Sequence, residues 1–183
     1  MKRRIFKIFT AWQYEKEEKW LNEMSEKGYQ LADVGFCNYG FIDGTPGKYI
    51  YRLELLEYTP PSPQSQKYLD FLEGTGVEHV DSLFRWVYLR KPAADGAFEL
   101  FSDCSSIIKH LTRMIQLILP LLIMNALLLF MNITNTLPNV PDGSISPWIL
   151  FCLQIFVVVL LGFGVLYLYR KIRLLKKESL LRE

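Results

Sequence analysis

Two histidines, three cysteines and one dense run of carboxylates are the places where this chain could carry chemistry beyond packing. His79 and His110 stand far apart, and neither has a second ligand at metal-binding spacing. A zinc site needs three or four clustered ligands, so both read as structural positions and no metal site is assigned. Cys37, Cys104 and Cys152 form no CxxC pair, and an odd, scattered set fits a reducing compartment better than a disulfide framework. GxSxG, P-loop and GxGxxG patterns do not occur, so the chain offers neither a nucleophile elbow nor a phosphate cradle. The run Glu15, Lys16, Glu17, Glu18, Lys19 holds three carboxylates, but consecutive residues diverge around a helix axis. It reads as a solvated helix face rather than an acid–base pair. No catalytic or cofactor-binding residue is assigned, no cofactor is implied, and the chain reads as a non-enzyme.

Aromatic residues raise a second possibility. Tyr49, Tyr51, Phe84, Trp86 and Tyr88 fall on strand-like segments, and open sheets can stack RNA bases on such rings. Residues 1–113 hold 15 Lys/Arg against 16 Asp/Glu, and phosphate contacts demand positive charge. The RNP1 pattern is also absent, so nucleic acid is excluded as a partner. The rings then form either a core beneath helices or an outward apolar patch for a partner or a second subunit.

The elements that must position these residues fall into two parts. The last third contains two uncharged apolar runs, 114–133 and 147–169, joined by the polar loop 134–146. Each is long enough to cross a bilayer core as a helix, which takes about 20 residues. Between Arg113 and Arg170 the only charge is Asp142. This predicts a transmembrane helical hairpin over 104–169. Asn125 and Gln154 lie inside it at similar expected depth, and an amide facing lipid needs a partner. Their shared depth points either to a hydrogen bond between them, within the hairpin or between subunits, or to separate bonds from each to backbone or to another protein. Asn132-Ile133-Thr134 matches the glycosylation pattern and is read as chance. Lys109 and Arg113 flank the first run, and Arg170, Lys171, Arg173, Lys176 and Lys177 follow the second, with Arg182 beyond. The tail 170–183 carries six basic residues against two acidic ones, a footprint for anionic lipid headgroups. The loop 134–146 has no Lys or Arg, so the positive-inside rule places both termini in the cytosol of a two-span protein of the cell membrane. The basic opening at Lys2, Arg3 and Arg4 is followed by too short an apolar stretch for a cleaved signal.

Residues 1–92 read as one small α+β domain, with 93–103 as linker. Strands are expected at 4–9, 29–36 and 48–56, with a last strand region over 77–90. Helices are expected at 14–27 and, after Ser62 as cap, up to Gly74. Thr10 and Gln13 offer an earlier capping box, and Ser102 or Asp103 can cap the first long apolar helix. Trp20, Leu21 and Met24 share one helix face, which should be buried. A weak repeat runs at an offset of 48: Trp20, Leu21, Gly28, Asp33 and Phe36 fall opposite Tyr68, Leu69, Gly76, Asp81 and Phe84. Two strand–helix–strand units in tandem predict the ferredoxin-like β-α-β-β-α-β fold.

The segments FKIFTAWQYEKEEKWLNEMSEKGYQL, GTPGKYIYRLEL and FRWVYLRK resemble a family of Gram-positive bacterial membrane proteins of unknown function, with EKEEKWLNEM at 15–24 the most specific part. The resemblance covers about residues 5–108. Genes of such proteins often lie beside PadR-type transcriptional regulators, which implies a regulated membrane accessory role in envelope stress or export. No functional residue is established for the family and none is carried over.

These readings converge on a membrane-anchored protein whose cytosolic domain is an interaction or regulatory module, with a protein partner or a homo-oligomer implied. The alternative is an accessory subunit of a membrane transport or envelope-stress complex that works through its hairpin. The orientation is directly testable. Alkaline phosphatase fused after Glu183 should be inactive in cells, and strong activity would reverse the assigned topology.

Overall fold

Residues that share the offset of 48 also share backbone geometry. Gly28 and Gly76 stand between helix and strand in each repeat with φ of +84° and +83°, a left-handed conformation that glycine adopts without a Cβ penalty. They mark corresponding points of two tandem β-α-β-β units. The computed structural model describes residues 2–101, 103–136 and 145–180. The chain divides into two compact units, Met1–Asp103 and Cys104–Glu183.

The first unit runs β1 (Lys2–Phe6), a helical turn at Ala11–Gln13, α1 (Tyr14–Glu26), β2 (Tyr29–Gly35) and β3 (Asn38–Asp43). The second repeat follows as β4 (Tyr49–Leu55), α2 (Pro63–Glu73), β5 (Glu78–Leu83) and β6 (Trp86–Pro92), then a turn at Ala93–Asp95. Each repeat forms its own antiparallel three-stranded sheet, ordered β1-β3-β2 and β4-β6-β5. Both sheets carry an irregularity at the same place, between Leu31 and Asp33 and between His79 and Asp81. The turns after β2 and β5 each hold a non-glycine residue at positive φ, Cys37 at 54° and Phe84 at 56°.

The four-stranded ferredoxin-like sheet expected from the sequence is therefore replaced by two three-stranded sheets. Two strands account for the difference. β3 is short and interrupted by Gly40, so it lacks an apolar alternation that would mark it. A Cβ at Gly40 would lie 2.1 Å from Asp33 Oδ2 on the neighbouring strand, so the glycine leaves room for that carboxylate where it stands. The region 77–90 is a hairpin of β5 and β6 rather than one broken strand. Consequently 29–35 pairs with β3, and 49–55 pairs with β6.

Ser62 caps α2 as expected, accepting from Ser65 N at 3.2 Å, with Pro63 at the first helical position. One core holds Leu21 and Met24 of α1 against Leu31, Phe41, Tyr51 and Leu53. Trp20 is only half-buried, its ring edge-on to Tyr39 and Phe41 at 4.9 and 5.6 Å. The second core gathers Leu56, Leu69, Leu72, Val77, Val87 and Leu89 with Phe98. Phe98 lies in the stretch 93–103 expected as linker, so that stretch contributes to the domain.

The second unit is a pair of helices. α3 (Cys104–Met131) runs into a wider turn at Asn132–Thr136, and α4 spans Ser146–Leu180. Both are long and apolar enough to cross a membrane. His110, Leu111, Met114 and Ile118 of α3 are buried, as are Leu168 and Ile172 of α4, so the packed end is the one nearest the chain's basic residues. Large apolar side chains beyond it, such as Leu127, Phe130, Phe156 and Phe163, are exposed. The cap at Ser102, Asp142, Arg182 and most of the loop 134–146 lie outside the described residues.

Leu21 is fully buried at the centre of the first core. Leu21→Ala should lower the stability of a 1–103 fragment by about 2–5 kcal/mol. A urea titration followed by tryptophan fluorescence measures this, and an unchanged midpoint would remove Leu21 from its central place.

Candidate functional site

The charged run at 15–19 does more than face solvent. Glu17 stands one helical turn before Leu21 and two before Met24, on the same buried face, and only 7% of its surface is exposed. Its Oε1 accepts hydrogen bonds from Tyr39 Oη and Tyr88 Oη, both at 2.7 Å. Tyr39 comes from β3 and Tyr88 from β6, so one carboxyl on α1 joins the two sheets. This overturns the solvated-face reading for Glu17. The spacing 17, 21, 24 was the signal that could have found it.

Glu18 is also engaged. Its Oε1 accepts from Leu53 N at 2.8 Å. One turn on, Asn22 Oδ1 accepts from Tyr51 N at 2.7 Å while its Nδ2 donates to Tyr51 O at 3.2 Å. Ser25 Oγ donates to Tyr49 O at 2.7 Å. A polar stripe along α1 thus satisfies the open edge of β4, where another strand would otherwise pair.

Beside Glu17 lies a pocket of about 140 Å³ between the repeats. Glu17, Tyr39 and Tyr88 form its buried floor. Tyr14 and Trp86 form a wall, their rings 6.1 Å apart and tilted by 30°. Phe36 and Phe84, each 81% exposed on equivalent turns, stand at the mouth. Of the strand aromatics, Phe84, Trp86 and Tyr88 line this pocket together, whereas Tyr51 is buried in the first core. Among the residues lining the pocket none is Lys, Arg or His. Among the described residues no group of His, Cys, Asp and Glu is arranged to hold a metal ion.

Burial raises the Glu17 carboxyl above the usual carboxylate range, and the two hydroxyl bonds oppose that rise. Burial likewise lifts Glu18 to about 7, partly offset by the Leu53 N–H and the Arg52 charge. Tyr39 and Tyr88 are raised too, first by burial and then by the nearby Glu17 charge.

The residues selected from the sequence in the second unit fall elsewhere. Asn125 and Gln154 are not brought together. Asn125 Nδ2 donates to Leu121 O of its own helix at 2.8 Å, and Gln154 Oε1 accepts from Asn132 Nδ2 at 2.7 Å. Asn132 is two turns further along the chain than Asn125, so α3 and α4 sit about 10 Å out of the register that equal span ends would give. Lys109 and Arg113 lie in the first turns of α3. Arg170, Lys171, Arg173, Lys176 and Lys177 lie in the last turns of α4, at the same end of the antiparallel pair. Arg173 donates to Tyr169 Oη at 3.1 Å and lies over that ring.

Because their carboxyls are raised above the ordinary 4.5, Glu17 and Glu18 favour folding below that value, and the benefit is lost as pH rises. The first unit should therefore lose stability as pH rises from about 5 to about 8, since Glu18 titrates near 7. Glu18→Gln, which keeps the acceptor for Leu53 N, should flatten this slope in thermal melts at stepped pH. An unaltered slope would assign the dependence to other groups.

Residues 13–123 match the family model described as "Protein of unknown function (DUF2812)". No curated protein and no solved structure matches the chain.

Proposed function

The chain belongs to DUF2812, a family of unknown function, and from that starting point we propose that it is a membrane-anchored binding module that regulates a partner and performs no catalysis itself. The observation that carries this reading is the pocket at the seam of the repeats. A ligand there touches Tyr39 of one sheet and Tyr88 of the other, so it can bias how the two sheets sit against each other. Its carboxyl is tied up by two hydroxyls, which hold it in place as a binding group.

Anchoring is supported by the second unit. Its exposed leucines and phenylalanines make an apolar surface far larger than a water-soluble monomer leaves open. The basic residues gather at one end of the pair, as cytosolic placement of both termini and contact with anionic headgroups require. The assigned role is cytosolic and regulatory, in a bacterial cell membrane.

A second reading, the transport or envelope-stress accessory subunit, is favoured by the Asn132–Gln154 bond. It is a polar contact within a mostly apolar stretch of the pair, and such contacts select a packing. Tagged full-length protein, residues 1–103 and residues 104–183 separate the two readings when purified from mild detergent. A partner should follow the full chain and 1–103. Retention by 104–183 alone would move the function to the helices.

A further inference from the structure

We propose that the pocket between the repeats binds a small organic ammonium ion, a primary or methylated amine of about half a dozen heavy atoms. The inference deepens the binding-module reading and rests on it. The pocket volume of about 140 Å³ equals the liquid share of about five waters, which sets that size.

Three features select a cation. Glu17 supplies an acidic group at the floor, and no basic side chain lines the pocket to neutralise it. A buried carboxylate without a counter-charge is costly, and a bound cation would relieve that cost. Both tyrosine hydroxyls donate to Oε1, which fixes the carboxyl and leaves Oε2 as the acceptor for a ligand N–H or the electrostatic partner of a methylated nitrogen.

The remaining walls are aromatic. Tyr14, Trp86 and Phe9 offer ring surface around the carboxyl, the arrangement that favours ammonium over a neutral guest. One of these rings already faces an ammonium from outside the pocket: Lys7 Nζ lies 5.2 Å from the Phe9 ring centre. Phe36 and Phe84 stand exposed at the mouth, at equivalent points of the two repeats, where they can cover a guest from both sides. A purely structural Glu17 would need only to join two tyrosines. It would not need an aromatic-walled pocket beside it.

The test is titration calorimetry on the full chain in a maltoside detergent, with choline and ethylammonium as probes and the neutral carbon isostere of choline as control. At least one ammonium probe should bind about tenfold or more tightly than the neutral isostere. Glu17→Gln keeps an acceptor for both tyrosines and should weaken that binding by about tenfold or more. Phe84→Ala alters a residue 81% exposed, so it should leave the melting curve unchanged and weaken binding by about threefold or more.

Equal affinity for the neutral isostere would overturn the proposal. So would unchanged binding by folded Glu17→Gln, or no binding of either probe by folded wild type. If Glu17→Gln does not fold, Phe84→Ala decides, and unchanged binding there overturns it. Repeating the titration in nanodiscs of phosphatidylglycerol or of phosphatidylethanolamine identifies the natural source. Competition only in the second supports an ammonium supplied by a lipid headgroup, and equal binding in both supports a free amine. Ammonium binding lost while 1–103 still retains its partner would remove the ligand class alone. Binding without any retained partner would remove the module reading alone.

Discussion

The first unit depends on one face of α1. Glu18, Asn22 and Ser25 satisfy backbone groups at Leu53, Tyr51 and Tyr49, along the outer edge of β4. An edge strand left open would expose unpaired N–H and C=O groups to another chain. Here the helix of the first repeat closes the edge of the second repeat's sheet. The two repeats are thereby a single domain, although their sheets share no strand. Leu21 and Met24, on the neighbouring stripe of the same helix, fill the core beneath.

Glu17 lies where that helix crosses the seam. Its carboxyl costs desolvation, and the hydroxyls of Tyr39 and Tyr88 offset part of that cost. Each of those tyrosines belongs to a different sheet, so the same bonds that hold the acid also hold the repeats in register. The links between β2 and β5 are not symmetric. Asp81 accepts from Val34 N at 2.7 Å across the seam, while its counterpart Asp33 pairs with Lys2 at 2.8 Å within its own sheet. The two halves share an order of elements, and their equivalent residues Asp33 and Asp81 take different partners.

Much of the first unit was legible in local sequence. The helix at 14–26, the cap at Ser62 and the offset of 48 all depend on neighbours a few residues apart. β3 was not legible, because Gly40 answers to Asp33 on another strand and breaks the alternation that marks a strand. Trp20 was expected in the core with Leu21 and Met24, yet it lies at its margin, since a helix face spans a gradient of burial that spacing alone does not resolve. Asn125 and Gln154 were paired by counting from assumed span ends. The observed partner of Gln154 is Asn132, in the wider turn that follows α3, so the two helices are offset from the assumed span ends.

By itself the sequence determined the division into a charged α+β part and two long apolar helices, the clustering of basic residues at one end of those helices, and the existence of a repeat. These follow from composition and periodicity, which are properties of contiguous residues. Only the tertiary structure decided that the repeats build separate sheets, that α1 closes the edge of β4, and that Glu17 meets Tyr39 and Tyr88 beside a pocket. Those outcomes join residues tens of positions apart on four different elements. No local pattern encodes them, because which edge a helix covers is fixed by the packing of the whole domain.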